Sequence, residues 1–164
     1  MISLIASVGR NLEIGKNGGL AFTGRGELGY FKQTTMGHAV LMGSRTYDSL
    51  PRRLEGREYN VAAFDGEFPD WVNVVRDLEQ FLKAQQATSE EIFVIGGGSI
   101  YTAALPYAQK LYLTEIGGEC EGADTFFPRF SPEEYERELV GSGAFDDGMT
   151  FKRYVYTRKA KVMS

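Results

Sequence analysis

Two glycine-containing junctions between a predicted strand and a predicted helix are the strongest candidates for a ligand site in this sequence. One reads Met-Gly-Ser-Arg-Thr at residues 42–46, and the other reads Ile-Gly-Gly-Gly-Ser at residues 95–99. Ligands of open parallel sheets bind at the carboxyl ends of the strands, where the first N–H groups of a helix favour phosphate. Either junction alone also fits an ordinary tight turn, but together they favour a nucleotide site. Neither has the P-loop spacing, which argues against an NTPase of that class.

An acidic and a basic residue elsewhere have the chemistry to bind a polar ligand. Glu27 lies four positions before Phe31 and next to Leu28, so a helix would present the carboxylate beside large apolar side chains. This pattern fits an acid in a pocket, but a solvated glutamate in the first turn of a helix is the far commoner case. Arg57 follows a predicted loop and offers a fork that matches a carboxylate, although a surface arginine looks the same in sequence.

The other reactive side chains give no catalytic motif. His38 is the only histidine and has no cysteine or acidic cluster near it, so we expect no metal site. Cys120 is the only cysteine and no base accompanies it, which disfavours a thiol nucleophile and an internal disulfide. A single cysteine fits a reducing compartment, and we expect a cytoplasmic protein.

Length and composition indicate one domain, spanning residues 1–164. Hydrophobic residues make up 43% of the chain and charged residues 24%, which is ordinary for a globular protein. The net charge of −4 and the lack of a basic stripe argue against a nucleic-acid partner. The apolar runs are too short to span a bilayer, and the N-terminus has no basic lead, so we expect neither membrane attachment nor a signal peptide.

The elements that would position these residues alternate between strands and helices. We predict an α/β fold with a mostly parallel central sheet of about eight strands, helices on both faces and an antiparallel C-terminal edge. Residues 15–26 are glycine-rich and without periodicity, and we expect a functional loop there. Strands are predicted at residues 2–8, 38–43, 60–64, 71–75, 91–95, 110–116 and 151–158, and helices from 27, 44, 78 and 99, with a helical turn at 131–134.

In combination the motifs resemble the dihydrofolate reductase family over residues 1 to about 158. The resemblance rests on an ordered set that includes Ile5-Ala6, Ile14-Gly15, Glu27 with Phe31, Met42-Gly43 with Thr46, and Leu54 with Gly56-Arg57, followed by Val94 to Gly98, Tyr101, Leu111 to Thr114, Asp124-Thr125 and Phe127-Pro128.

The resemblance implies transfer of a hydride from NADPH to 7,8-dihydrofolate by a cytoplasmic monomer, which would be an antifolate target in tetrahydrofolate biosynthesis. It implies no metal. The catalytic residues would be Glu27 and Thr114. The substrate would contact Ile5, Leu20, Phe22, Glu27, Leu28, Phe31, Leu50, Leu54, Arg57 and Ile95. The cofactor would contact Ala6, Ile14, Gly15, Gly43, Ser44, Arg45, Thr46, Phe64, Asp65, Arg76, Gly96, Gly97, Gly98, Ser99, Ile100, Tyr101 and Thr125.

The chain departs from the family pattern at several of these positions. Ala21-Phe22 replaces a usual Pro-Trp pair, and glutamate rather than aspartate stands at position 27. Serines at positions 44 and 99 replace arginines that commonly hold the 2′-phosphate of NADPH, and Asp65 suits a ribose hydroxyl. Arg45 and Arg76 remain, and the resemblance to the family implies NADPH as the cofactor, so we predict NADPH with weak discrimination against NADH.

Three other functions stay open on the sequence. A reductase of the same fold with another pyrimidine or pterin substrate would need the glycine turns but not Glu27, Phe31 and Arg57 together. A non-catalytic pterin- or nucleotide-binding module is favoured only by the altered Ala21-Phe22 pair. An unrelated flavodoxin-like binding domain would lack the folate-site residues.

Overall fold

The structure, a computed structural model, describes residues 1–22, 27–50 and 53–160, and the side chains of residues 19, 27 and 28 are also outside the description. Strands are β1 (Ile2–Val8), β2 (Glu13–Lys16), β3 (Gly19–Leu20), β4 (Ala39–Gly43), β5 (Glu58–Ala62), β6 (Val72–Val75), β7 (Ile92–Gly96), β8 (Ala108–Ile116), β9 (Thr125–Phe126), β10 (Tyr135–Ala144) and β11 (Thr150–Arg158). Helices are α1 (Glu27–Thr35), α2 (Ser44–Ser49), α3 (Leu78–Gln86) and α4 (Gly98–Ala104), with 3-10 turns at Leu105–Tyr107 and Pro132–Glu134.

Eight of these strands form one sheet in the order β10-β11-β8-β1-β7-β4-β5-β6. The strands from β8 to β6 in that order run parallel, whereas β11 runs antiparallel to β8 and β10 antiparallel to β11. The predicted fold class is therefore confirmed, including its antiparallel C-terminal edge. The extent of the domain stays a prediction.

Strand β1 lies near the middle of the sheet and divides the core into two faces. Leu4 and Val8 pack with residues of α3 and α4, whereas Ile5 packs with residues of α1 and of the segment after α2. We call these the α3–α4 face and the α1–α2 face. Successive side chains of a strand point to opposite faces, so a strand covered by helices on both sides must be apolar throughout, as β1 is.

Helix α3 begins at Leu78, where the sequence predicted the start of a helix. The side chain of Asp77 accepts a hydrogen bond of 3.1 Å from the backbone N–H of Gln80. Such a cap satisfies one of the N–H groups that have no partner within the helix. In the part of the chain that the structure describes, no helix is long and apolar enough to cross a membrane.

The loop prediction for residues 15–26 was wrong at its beginning, and one long strand was missed. Strands β2 and β3 form a short hairpin, and β9 pairs with β2 to complete a second, three-stranded sheet. Strand β10 was missed because, apart from Tyr135, its residues are exposed or half-buried on both faces, which leaves no alternation in the sequence. The turn predicted at 131–134 is a 3-10 turn rather than α-helix.

Candidate functional site

The carboxyl ends of three adjacent parallel strands bring the two predicted glycine junctions together. Strand β7 lies between β1 and β4, and Met42 of β4 is the register partner of Gly96 of β7. Helix α2 follows β4 directly, and helix α4 begins two residues after β7 ends. The two junctions therefore lie side by side at one edge of the sheet, as their sequence positions predicted.

The glycines of the second junction allow a close approach of backbone segments. Gly96 has φ of +133°, a conformation that other residues rarely adopt, and the Gly96–Gly97 peptide is cis. A Cβ atom at Gly98 would lie 2.8 Å from Cγ2 of Thr125, so a larger residue there would displace the segment that contains β9. The buried Tyr101 then fixes α4 to the sheet, because its hydroxyl donates a 2.7 Å hydrogen bond to the carbonyl of Ile5.

Both helices at these junctions begin without a side-chain cap. The residues before their first turns are Gly43 and Gly97, which have no side chain to accept a hydrogen bond from a first-turn N–H group. Helix α3, away from the junctions, has its Asp77 cap. First-turn N–H groups without a side-chain acceptor suit an anionic ligand such as a phosphate.

The predicted substrate wall is brought together on the α1–α2 face of the sheet. Five of its members belong to one apolar cluster with the buried Phe93 and Met42. They come from β1, α1, the segment after α2 and β7, and they are Ile5, Phe31, Leu50, Leu54 and Ile95. An apolar cluster built from separate elements at the carboxyl ends of strands is the expected setting for a flat aromatic ligand.

Four other predicted substrate residues are not shown beside that cluster. Leu20 is 71% exposed at the end of the β2–β3 hairpin. Phe22 is half-buried. Its ring lies against Gly9, and a carboxylate oxygen of Glu13 also lies beside that glycine. The side chain of Leu28 lies outside the described residues, as does that of Glu27, although the backbone of α1 begins at Glu27.

Arg57 is buried and held by three acceptors around the end of α1. Its Nε donates to the hydroxyl of Thr35 at 3.2 Å, and its two terminal nitrogens donate to the carbonyls of Glu55 and Lys32. Thr35 is itself fixed, because its hydroxyl also donates to the carbonyl of Phe31. A guanidinium has five N–H donors, so these bonds leave one N–H on each terminal nitrogen for a further acceptor. The arrangement fits two parallel bonds to a carboxylate.

The second predicted catalytic residue, Thr114, is buried in β8. Its register partners are Ser7 of β1 and Arg153 of β11. The neighbouring Leu113 belongs to the α3–α4 face, so Thr114 faces the α1–α2 side by the alternation of the strand. The hydroxyl therefore lies on the same face of the sheet as the apolar wall.

The predicted cofactor residues divide between the opposite face and the sheet edge. Ala6, Ile14, Ile100 and Tyr101 belong to the α3–α4 cluster, and Gly15 pairs with Thr125 between β2 and β9. The junction residues Gly43, Ser44, Arg45, Thr46, Gly96, Gly97, Gly98 and Ser99 lie at the starts of α2 and α4.

The predicted residues for the adenosine end lie after β5 and β6. Phe64 is 99% exposed, and Asp65 beside it is exposed as well. Arg76 is exposed and donates hydrogen bonds of 3.1 Å to the carbonyls of Ala63 and Gly66, which ties the turn at 63–66 to the end of β6. The other arginine of the prediction, Arg45, is exposed in α2.

Comparison with known proteins decides the family. The model of the dihydrofolate reductase family matches residues 1–158. The chain is 38% identical to the dihydrofolate reductase of Bacillus subtilis (strain 168), over 90% of this chain and 87% of that protein. It is 36% identical to the dihydrofolate reductase of Mycobacterium tuberculosis (strain H37Rv), over 96% and 98%. It is 40% identical to dihydrofolate reductase type 3 of Salmonella typhimurium, over 79% and 80%.

The chain belongs to the dihydrofolate reductase family.

Sequence reasoning missed one notable residue of this family member, the buried Glu13 in β2. Its carboxylate accepts hydrogen bonds from the backbone N–H groups of Asn11 at 2.7 Å and Cys120 at 2.6 Å. Burial opposes ionisation, but hydrogen bonds from the N–H groups of Cys120, Glu13 itself and Asn11 outweigh it and hold the pKa of this carboxyl below its ordinary value. The only signal in the sequence is an acid between two apolar residues, Leu12 and Ile14.

Two cavities of the described structure lie away from this candidate site. One, of about 380 Å³, lies between the Leu105–Tyr107 turn and the residues around Phe130. The other, of about 450 Å³, is lined by residues of the β1–β2 connection and of β11. Neither is lined by any residue predicted to bind substrate or cofactor.

Proposed function

We propose that this chain is a dihydrofolate reductase that transfers a hydride from NADPH to 7,8-dihydrofolate and makes tetrahydrofolate. The observation that carries the proposal is the division of roles in β1 just after Leu4, the last residue of β1 that pairs with β7. Ile5 belongs to the apolar wall of the α1–α2 face, and the next residue, Ala6, packs with the cluster of the opposite face. Two flat rings bound from the two sides would meet where the pairing of β1 with β7 ends, which is the geometry that hydride transfer requires.

The apolar wall would position the pterin and exclude water. Burial of a flat ring against Ile5, Phe31 and Ile95 stabilises the complex by about 25 cal/mol for each Å² of apolar surface removed from water. The wall offers a pterin little polar recognition, so orientation would come from Glu27, whose carboxyl group would bind the amidine edge, with Thr114 supporting that contact. The reaction adds a hydride to the pterin and a proton to its nitrogen 5, and the Glu27 carboxyl group would help to deliver that proton.

Arg57 would bind the glutamate tail of the substrate. Two N–H donors remain on its terminal nitrogens after the bonds to Thr35, Lys32 and Glu55. Because the guanidinium is held from behind by these acceptors, little side-chain entropy is lost when a carboxylate binds. This reading accounts for a charged side chain that is only 6% exposed at the rim of an apolar site.

The residues at the junctions fit a nicotinamide dinucleotide. The starts of α2 and α4 offer N–H groups without side-chain caps, and Gly96 to Gly98 let the backbone approach a phosphate closely. When bound, NADPH supplies the hydride. Arg45 and Arg76 are the two arginines that would hold the 2′-phosphate, and Arg76 already donates to two carbonyls.

We therefore propose NADPH as the preferred cofactor, with discrimination against NADH below about 10³-fold in kcat/KM, which corresponds to roughly 4 kcal/mol. Serines at positions 44 and 99 offer no charge to the 2′-phosphate, and Asp65 repels it. We also propose that the enzyme acts as a cytoplasmic monomer in tetrahydrofolate biosynthesis and is inhibited by antifolates.

A spectrophotometric assay tests the proposed function. The purified chain is mixed with dihydrofolate and either NADPH or NADH, and cofactor oxidation is followed in wild type and Glu27→Gln. We expect turnover in wild type and a loss of at least 10²-fold in Glu27→Gln at neutral pH, since the positioned acid is removed. Turnover of another pterin or pyrimidine but not of dihydrofolate would favour a related reductase. Tight dihydrofolate binding without turnover would favour a binding module.

A further inference from the structure

Arg153 of β11 is a charged residue on the α1–α2 face that the proposed reaction does not yet use. It is half-buried, and its register partner on β8 is Thr114. The neighbouring Tyr154 packs with the α3–α4 cluster, so the alternation of the strand places Arg153 on the face that contains the apolar wall.

Two aromatic rings hold the guanidinium of Arg153 in place. Its central carbon lies 4.4 Å from the ring centroid of Tyr30 in α1 and 4.3 Å from that of Phe151 in β11. Both distances are typical of a cation stacked on an aromatic face. Stacking engages the flat face of the guanidinium, and its N–H donors lie in the plane of the group.

The contact with Tyr30 also shows which turn of α1 the guanidinium of Arg153 lies beside. Tyr30 is three positions after Glu27, and residues three apart share one face of a helix. Arg153 is therefore positioned at the first turn of α1, on the helix face to which Glu27 belongs, and beside Thr114 across the sheet.

We propose that Arg153 is a positioning residue for the reaction, a fixed positive charge that keeps the Glu27 carboxyl group ionised in the free enzyme and orients it toward the pterin. This inference rests on the proposed function, since it assigns Glu27 the role of the pterin-binding acid. It names a residue outside the set that the resemblance implied.

Among the described side chains, the groups that face this position carry no competing positive charge. They are Tyr30 of α1 and Tyr112 of β8, and the register partner on β10 is Gly141. The Tyr112 hydroxyl donates to the Glu91 carboxylate at 3.2 Å, and burial together with that carboxylate raises the pKa of Tyr112 well above its ordinary value. Tyr112 is therefore neutral throughout the working range of pH.

The pH dependence of hydride transfer is the property that this charge would set. Protonation of the pterin must accompany hydride transfer, so the rate falls as pH rises past an apparent pKa that belongs to the acid and the pterin together. A nearby cation disfavours the proton and lowers that pKa, typically by one to three units for a carboxyl group. Removing the cation should therefore move the midpoint to higher pH by about one unit.

The experiment is single-turnover hydride transfer from NADPH to dihydrofolate between pH 5 and 9 in wild type, Arg153→Gln and Arg153→Lys. We expect the midpoint of Arg153→Gln to rise by about one unit, and that of Arg153→Lys, which keeps the charge, to stay near the wild-type value. Arg137→Gln is the matched control, because Arg137 stacks on Tyr154 at 4.3 Å on the opposite side of the same edge of the sheet. It should leave the midpoint unchanged. Equal midpoints for wild type and Arg153→Gln would overturn the inference.

A second measurement on the wild type keeps the inference falsifiable if Arg153→Gln does not fold. The pKa of the Glu27 carboxyl group is measured in the free enzyme from the carbon-13 shift of its carboxyl carbon. With the cation beside it, we expect this pKa to lie below the ordinary value of a glutamate, whereas a desolvated carboxyl group without a counter-charge titrates above that value. A pKa above the ordinary value would contradict the inference. Absence of dihydrofolate turnover in wild type would instead refute the proposed function itself.

Discussion

Replacement of Glu13 by glutamine tests whether a buried carboxylate joins the β2–β3 hairpin to the segment around Cys120. The carboxylate is 2% exposed and accepts two backbone hydrogen bonds, from Asn11 at 2.7 Å and from Cys120 at 2.6 Å. An amide keeps one oxygen acceptor, but its NH₂ group faces the second N–H donor. One buried N–H then has no acceptor, and the remaining bond loses its charge.

The expected loss of stability follows from these contacts. A hydrogen bond to a charged group contributes about 1.5–3 kcal/mol, and a neutral one about 1 kcal/mol. Loss of one charged bond and weakening of the other should lower the free energy of unfolding of Glu13→Gln by about 2–4 kcal/mol at pH 7. Urea unfolding followed by circular dichroism measures this difference. Glu121→Gln, an exposed acid in the same segment, should change it by less than about 0.5 kcal/mol.

The pH dependence of the difference has a defined sign. Because the pKa of Glu13 is lower in the folded state than its ordinary value of about 4.3, the carboxylate stabilises the fold fully above that value. The stabilisation is lost as pH falls through the folded-state pKa. Wild type and Glu13→Gln should therefore converge in stability as pH falls below that ordinary value. A Glu13→Gln protein as stable as wild type at pH 7, or a gap that does not narrow in acid, would refute the reasoning.

Three further substitutions test other contacts of the site. Arg57→Met should raise KM for dihydrofolate roughly 30- to 150-fold, or about 2–3 kcal/mol. KM for a dihydropterin that lacks the glutamate tail should not change. An equal effect on both substrates would exclude the tail contact. Tyr101→Phe should lower the free energy of unfolding by about 1–2 kcal/mol, because the carbonyl of Ile5 loses a buried donor; an unchanged urea midpoint would argue against that bond. Gly98→Ala should raise KM for NADPH at least tenfold, because the new methyl group would lie 2.8 Å from Cγ2 of Thr125. Adding Thr125→Ser, which removes that Cγ2, should bring KM part of the way back to the wild-type value. An unchanged KM in the double variant would show that this contact is not the cause.

The parallel part of the fold was predictable because its strands are buried on both faces. Such strands are continuous apolar runs, as in β1, and the glycine turns that follow β4 and β7 mark their ends. Strand β10 carried no such signal, since its side chains are mostly in solvent and its pairing with β11 is made by backbone groups. The β2–β3 hairpin is too short for any periodicity to show.

The candidate site was predictable only in part, because several of its residues depend on partners distant in sequence. Arg57 looks like a surface arginine until α1 supplies the carbonyl of Lys32 and the hydroxyl of Thr35. Burial of Glu13 between apolar neighbours is unexpected from the sequence, because the N–H of Cys120 that stabilises its carboxylate is distant along the chain. The position of Arg153 beside α1 could not be predicted, because it depends on the contact of Arg153 in β11 with Tyr30 in α1. Resemblance to the family identified most of the predicted set, but neither Glu13 nor Arg153.

The most direct test of the account follows the transferred hydrogen itself. Wild-type protein is mixed with dihydrofolate and NADPH that carries deuterium at the reactive C4 position of the nicotinamide, and the product is analysed by mass spectrometry. The account predicts tetrahydrofolate with one deuterium bound to carbon, formed in proportion to the cofactor consumed. Cofactor oxidation without deuterium in the pterin product, or no reaction at all, would contradict it.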